Sequence, residues 1–166
     1  MITEDIGAVI EAMQDAGIDV HYIHGHRLEM SNRLDKMNKN PDKKYEKYPL
    51  IALNEMASVP ERRGSITTWR LNIAILAKTK PEYYSPDRDE NVFKPTLYPL
   101  YEQFLTYLKN SGLFFWAGAQ SAPPHRPFER KYYGISSKEG NVKYIFNDPL
   151  DGIELIDLRV SQLKEC

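Results

Sequence analysis

The run Ile66-Thr67-Thr68-Trp69-Arg70-Leu71-Asn72-Ile73-Ala74-Ile75-Leu76-Ala77 puts Trp69, Leu71, Ile73 and Ile75 on alternate positions. Successive side chains of a strand point to opposite faces, so this spacing predicts a long strand with one face on a core. A polar segment punctuated by proline follows, Lys80-Pro81-Glu82-Tyr83-Tyr84-Ser85-Pro86-Asp87. Beyond it, Phe93, Leu97, Leu100, Tyr101, Phe104, Leu105 and Leu108 mark an amphipathic helix. A long strand, an aromatic crossover and a strong helix describe a scaffold. They hold no nucleophile, base or phosphate loop in a catalytic setting, so function has to be read from architecture.

At 166 residues the chain suits one domain and can hold its own core. Its 22 basic and 23 acidic side chains leave a net charge of −1, so no global field steers it toward nucleic acid or an anionic membrane. The longest apolar run, Gly112-Leu113-Phe114-Phe115-Trp116-Ala117-Gly118-Ala119, falls far short of the ~20 residues that span a bilayer. Met1-Ile2-Thr3-Glu4-Asp5 is acidic where a secretory signal is basic. Cys166 is the single cysteine, which rules out an internal disulfide. Cytoplasmic synthesis is the expectation.

Thr3 to Ala16 reads as a helix, with Thr3 as its cap, Glu4 and Asp5 against the dipole, and Gly17 at the left-handed C-terminal position. Its apolar stripe is Ile6, Val9, Ile10 and Met13. Ile18 to Ile23 follows as a short strand. From Gly25 to Lys47 the chain turns polar, with seven basic against four acidic side chains. This stretch reads as a long protruding arm with a helical turn at Met30–Met37. Tyr48 to Asn54 is a second strand, joined to the long one by a loop over Met56–Gly64 in an antiparallel hairpin.

Pro99 should kink or delay the second helix, leaving Leu100 to Lys109 as its secure part. Ala117–Pro127 reads as a loop, Glu129–Ile135 with Asn141–Phe146 as a hairpin, and Gly152–Val160 as the last strand. In that strand the apolar set switches from Ile153 and Leu155 to Ile156, Leu158 and Val160, which predicts a bulge or burial on both faces. The expected fold class is α+β: a single antiparallel sheet with a long hairpin, covered by two helices, in one domain.

Candidate sites are few. On a strand His24 and His26 would share a face, near enough for one ion, with Glu29 or His125 as a third ligand and His21 pointing away. Surface histidines at a strand end are the simpler reading, and no metal or cofactor is assigned. Asp87, Asp89 and Glu90 are read as helix caps and dipole partners, Asp148 and Asp151 as turn residues around Pro149. Ser65, Ser121 and Ser161 lack a nucleophile-elbow setting. Arg33, Lys39, Lys43 and Lys44, with Arg62 and Arg63 at a second loop tip, have the charge to touch phosphates. Their interspersed acids favour a solvated surface that docks on another protein. The chain's 11 tyrosines, Tyr45, Tyr83 and Tyr84 among them, fit an interface, where tyrosine is enriched.

Two segments carry a resemblance. Tyr48-Pro49-Leu50-Ile51-Ala52-Leu53 is one; the other joins Ile73-Ala74-Ile75-Leu76-Ala77-Lys78-Thr79-Lys80-Pro81-Glu82-Tyr83 to Val92-Phe93-Lys94-Pro95-Thr96-Leu97-Tyr98-Pro99-Leu100-Tyr101. They resemble small proteins encoded in phages and prophages of Bacteroides-type bacteria. The order of helix, strand, long hairpin, helix and strand is similar to the tail-terminator and head–tail connector fold of tailed phages. That resemblance implies a structural protein of the virion neck or tail with no catalysis, made in the host cytoplasm and forming a sixfold or twelvefold ring of copies of itself. The implied partners are adjacent neck, portal or tail proteins, with DNA in the lumen nearby and no membrane. It turns the Gly25–Lys47 arm and the Pro60–Gly64 tip into candidate ring-to-ring contacts. A small metal-dependent hydrolase using His24 and His26, and a nucleic-acid-binding accessory protein using the basic arm, are the competing readings.

Overall fold

The computed structural model describes residues 1–39, 47–55, 58–118, 120–131 and 148–163. In order, the chain forms α1 (Ile2–Asp15), β1 (His21–Gly25), α2 (Arg27–Asn38), β2 (Leu50–Asn54), β3 (Val59–Arg63) and β4 (Ile66–Lys78). Then come α3 (Ser85–Arg88), a π-helical stretch (Asp89–Leu97), α4 (Tyr98–Asn110), β5 (Arg126–Arg130) and β6 (Leu150–Leu163). The six strands make one mainly antiparallel sheet ordered β1-β2-β4-β6-β5, with β3 also paired to β4. The fold is α+β.

α1 forms where its apolar stripe requires, and it ends as a Schellman motif. Gly17, at φ 84°, donates to Gln14 O, and Ile18 donates to Met13 O. The start differs from expectation. The helix begins at Ile2, so Thr3 lies buried in its first turn and does not cap it. α1 and α4 cover one face of the sheet. Ile6, Ile10, Met13, Phe93, Leu97, Phe104 and Leu108 pack there with Ile51, Leu71, Ile73, Ile75, Ile153, Leu155 and Leu158.

The second face has its own helix, and this corrects the arm expected at 25–47. β1 and β2 pair in parallel, from His21↔Leu50 to Gly25↔Asn54, against the expected all-antiparallel sheet. Parallel neighbours need a crossover, usually helical, and α2 supplies it. Met30 and Leu34 of α2 are buried with Ile23, Leu50, Ala52, Ala74, Leu76 and Leu150. Residues 40–46 of the expected arm lie outside the described residues, as do the expected strand Asn141–Phe146 and most of Glu129–Ile135.

Pro99 stands in the first turn of α4, and the helical stretch extends back past it to Ser85. The helix runs unbroken from Ser85 to Asn110, and its middle widens into the π-helical stretch, where Tyr98 N–H donates to Phe93 O five residues back. The wider turn accommodates Pro95 and Pro99, which lack the amides an α-helix would use. The expected switch in β6 is a bulge. Leu71 pairs with Leu158 and Ile73 with Leu155, so Ile156 and Asp157 stand against Asn72 alone. Asp157, at φ 57°, takes the left-handed conformation that aspartate tolerates better than most residues.

Gly152, expected near a turn, lies inside β6 opposite Leu76. A Cβ there would sit 2.8 Å from Leu76 Cδ2 and 2.9 Å from the Ile75 carbonyl oxygen. The side chain can move aside, but the carbonyl moves only with its strand. Gly152→Ala is expected to cost about 1–3 kcal/mol. The measurement is a lower urea midpoint at unchanged slope.

Candidate functional site

β4 is longer than the layers that cover it. Its stretch from Ile73 to Ala77 is buried, whereas Ile66 to Arg70 are half-buried or exposed. At this distal end β3 and β6 flank β4, and every β3 residue is exposed. The Met56–Gly64 segment expected as a loop is therefore in part a strand. β3 turns into β4 through Gly64 and Ser65, with Gly64 at φ 60°, the positive φ that a tight hairpin turn requires. Pro60 is tolerated because β3 is an edge: among the described residues no strand pairs with its outer side.

The end of the second helix comes back to the same place. Past Gly112 the chain pairs Phe115 with Ser161: Phe115 N–H donates to Ser161 O at 3.0 Å, and Ser161 N–H donates to Phe115 O at 2.7 Å. This sets Leu113 and Phe115 beside Met1 and Leu163 around a cleft of about 470 Å³. The four are 41%, 42%, 76% and 68% exposed, respectively, an unusual amount of apolar surface to gather in one place. Asp5 and Gln162 complete the rim. Gln162 donates to Asp5 Oδ2 at 2.9 Å and accepts from Trp69 Nε1 at 3.1 Å, which ties α1 to the distal strands and holds the cleft's shape. The arrangement can bury an apolar side chain of a partner.

The residues expected at an interface divide between regions. Arg62 and Arg63 stand exposed on β3, where Arg63 pairs with Glu61 at 2.8 Å. Arg33 and Lys39 are exposed on and just beyond α2, over the other half of the sheet. Tyr83 packs on the larger core under Lys80, whereas Tyr84 is 78% exposed at the start of α3. Lys43, Lys44 and Tyr45 lie outside the described residues.

His24 and His26 take different roles. The strand ends at Gly25, so His26 leaves it to cap α2, its Nδ1 accepting from Leu28 N–H at 3.1 Å. His24 Nδ1 lies 2.5 Å from Glu55 Oε1, and His125 contacts the Tyr101 hydroxyl and Pro123 O. Among the described residues no three of His, Cys, Asp and Glu gather as a metal-ligand set.

The carboxylates do structural work. Asp87 caps α3 by accepting from Tyr84 N–H, and Asp89 pairs with Lys131 at 2.7 Å. Asp148 and Asp151 are more than turn residues. Asp148 binds buried Lys47 at 2.7 Å and the Tyr48 hydroxyl at 2.5 Å; burial first, then that hydrogen bond, pushes the Tyr48 phenol above its usual range. Asp151 is fully buried in β6 against Arg88. Comparison with protein-family models, curated proteins and solved structures finds no match. Among the described residues no helix is long and apolar enough to cross a membrane.

Proposed function

We propose that this chain is a structural subunit that assembles with copies of itself, serving as a ring component in the neck or tail of a tailed phage. In that role it would join or terminate the tail at the head–tail interface. The observation that carries the reading is the distal cleft, where Met1, Leu113, Phe115 and Leu163 expose contiguous apolar surface beside an edge strand. Covering such surface is favourable by roughly 25 cal/mol per Å². Pro60 and the Glu61-Arg62-Arg63 run on β3 guard against indiscriminate strand addition, so the cleft becomes the contact and the charges select its partner. A cleft on one copy that takes a different surface of the next makes a heterologous contact, which closes into a ring when the rotation closes. The resemblance of residues 48 to 105 supplies the virion setting, with neck, portal or tail proteins as neighbours and the site in the virion.

Mass measurement in solution, with electron microscopy of the purified protein, tests the proposal. Closed oligomers are expected for the wild type. Phe115→Asp combined with Leu163→Glu should leave a folded monomer, because each places a charge where water must be excluded. A wild-type chain that stays monomeric up to its solubility limit overturns the reading.

A further inference from the structure

α2 packs over the half of the second sheet face that carries Leu50, Ala52, Ala74, Leu76 and Leu150. Beyond it, on the same face, arginines from three neighbouring strands meet around Asp157. Arg159 Nη2 of β6 lies 2.7 Å from Asp157 Oδ2, and Arg70 Nε of β4 lies 3.9 Å from Oδ1. Arg126 of β5 acts on the same carboxyl, which the Arg159 hydrogen bond, foremost, holds below its usual range. Arg70 and Arg159 are about half exposed, and Arg126 is exposed. One carboxylate cannot neutralise three guanidiniums. Arg27, at the start of α2, adds a fourth beside buried Glu154 at 3.6 Å.

An aromatic ring stands beside this row. Phe128 pairs opposite Glu154 in the β5–β6 register, is 50% exposed, and has the Arg130 guanidinium 4.5 Å from its ring centroid. Guanidiniums present planar forks that match phosphate oxygens. Arg70 stands opposite Arg159 in the β4–β6 register, and Arg126, opposite Ile156, is offset along β5, so the three form a staggered row across the sheet. An exposed ring beside a cationic row is the pairing that single-stranded nucleic acid uses, with phosphates on the cations and a base stacked on the ring. An acidic protein segment would use the cations and leave the ring without a role.

We propose that this open face binds a single strand of nucleic acid, with Arg70, Arg126 and Arg159 on its phosphates and a base on Phe128. Arg33, Arg62 and Arg63, marked in the sequence, are not among these residues. The face is separate from the distal cleft, so the two proposals stand or fall separately: a monomer that binds and a ring that does not are distinct results.

Fluorescence anisotropy with labelled oligothymidine and oligouridine over a salt series is the test. Log affinity is expected to fall with log salt at a slope of roughly −2, from three contacts at about −0.7 each. Arg70→Ala with Arg159→Ala should bring the slope toward about −0.7 and weaken binding by roughly tenfold or more. Phe128→Ala should weaken binding roughly tenfold, the loss of one stacked base, and leave the slope unchanged. Lys109→Ala, at the end of α4 over the other face, also removes a cation and should bind as wild type. Binding of either oligomer supports the proposal, and the stronger of the two identifies DNA or RNA as the ligand. No binding at low salt overturns it. So does equal binding of a poly-glutamate peptide, or a loss in Lys109→Ala as large as in the arginine pair.

Discussion

Asp151→Ala is expected to cost about 3–5 kcal/mol, because it removes one partner of a buried ion pair. Arg88 and Asp151 are both wholly buried, with Nη1 2.5 Å from Oδ1. Arg88 also donates from Nε to Tyr83 O at 3.1 Å, from Nη2 to Lys80 O at 3.2 Å, and from Nη1 to Thr79 Oγ1 at 3.4 Å. One guanidinium thus pins the turn after β4, the start of α3 and the first part of β6. Without Asp151 the neutral acceptors remain but this buried carboxylate is gone. Arg88→Met together with Asp151→Leu is expected to recover most of the loss, since apolar replacement of a whole buried pair is often close to neutral. Urea unfolding of the wild type, both single variants and the double variant closes the cycle. A loss below about 1 kcal/mol in Asp151→Ala, the level of an exposed pair, would sink the argument.

Phe104→Ala is expected to cost about 3–5 kcal/mol as well, by a different mechanism. Phe104 is wholly buried near the centre of α4, in the core between α1, α4 and the sheet. Truncation removes its transfer energy and leaves a cavity that the packed helix and sheet layers can fill only in part. For a domain of this size that corresponds to a Tm lower by roughly 6–20 °C. Thr106, two positions on and exposed, is the comparison: Thr106→Ala should stay within about 0.5 kcal/mol. Equal losses from the two variants would mean that α4 does not bury the face assigned to it.

Elements whose burial is periodic are legible in the amino-acid order itself. α1, β4 and the apolar face of α4 follow from spacing alone, and the reset within β6 announces its bulge. α2 is legible only as the helical turn expected at Met30–Met37, since only Met30 and Leu34 among its described residues are buried and the rest is mostly polar. β3 is hidden by Pro60 and its run of charges, although Gly64-Ser65 is a hairpin signal. The distal cleft has no signal either. Met1, Leu113, Phe115 and Leu163 come from both ends of the chain and from the turn after α4.

The charged residues show the limit most sharply. Arg88 and Asp151 stand 63 residues apart and each sits in an ordinary polar context, so nothing local marks them as partners. The arginines of the open face likewise belong to three strands that only the β4–β6–β5 pairing makes neighbours. The amino-acid order by itself determined which stretches turn one side to a core, because period and propensity act over a few residues. The tertiary structure decided which stretches meet, and with them the parallel pairing under α2, the buried ion pair, the distal cleft and the arginine row. Partner choice is settled by the packing of the whole sheet, and no local window of sequence holds that information.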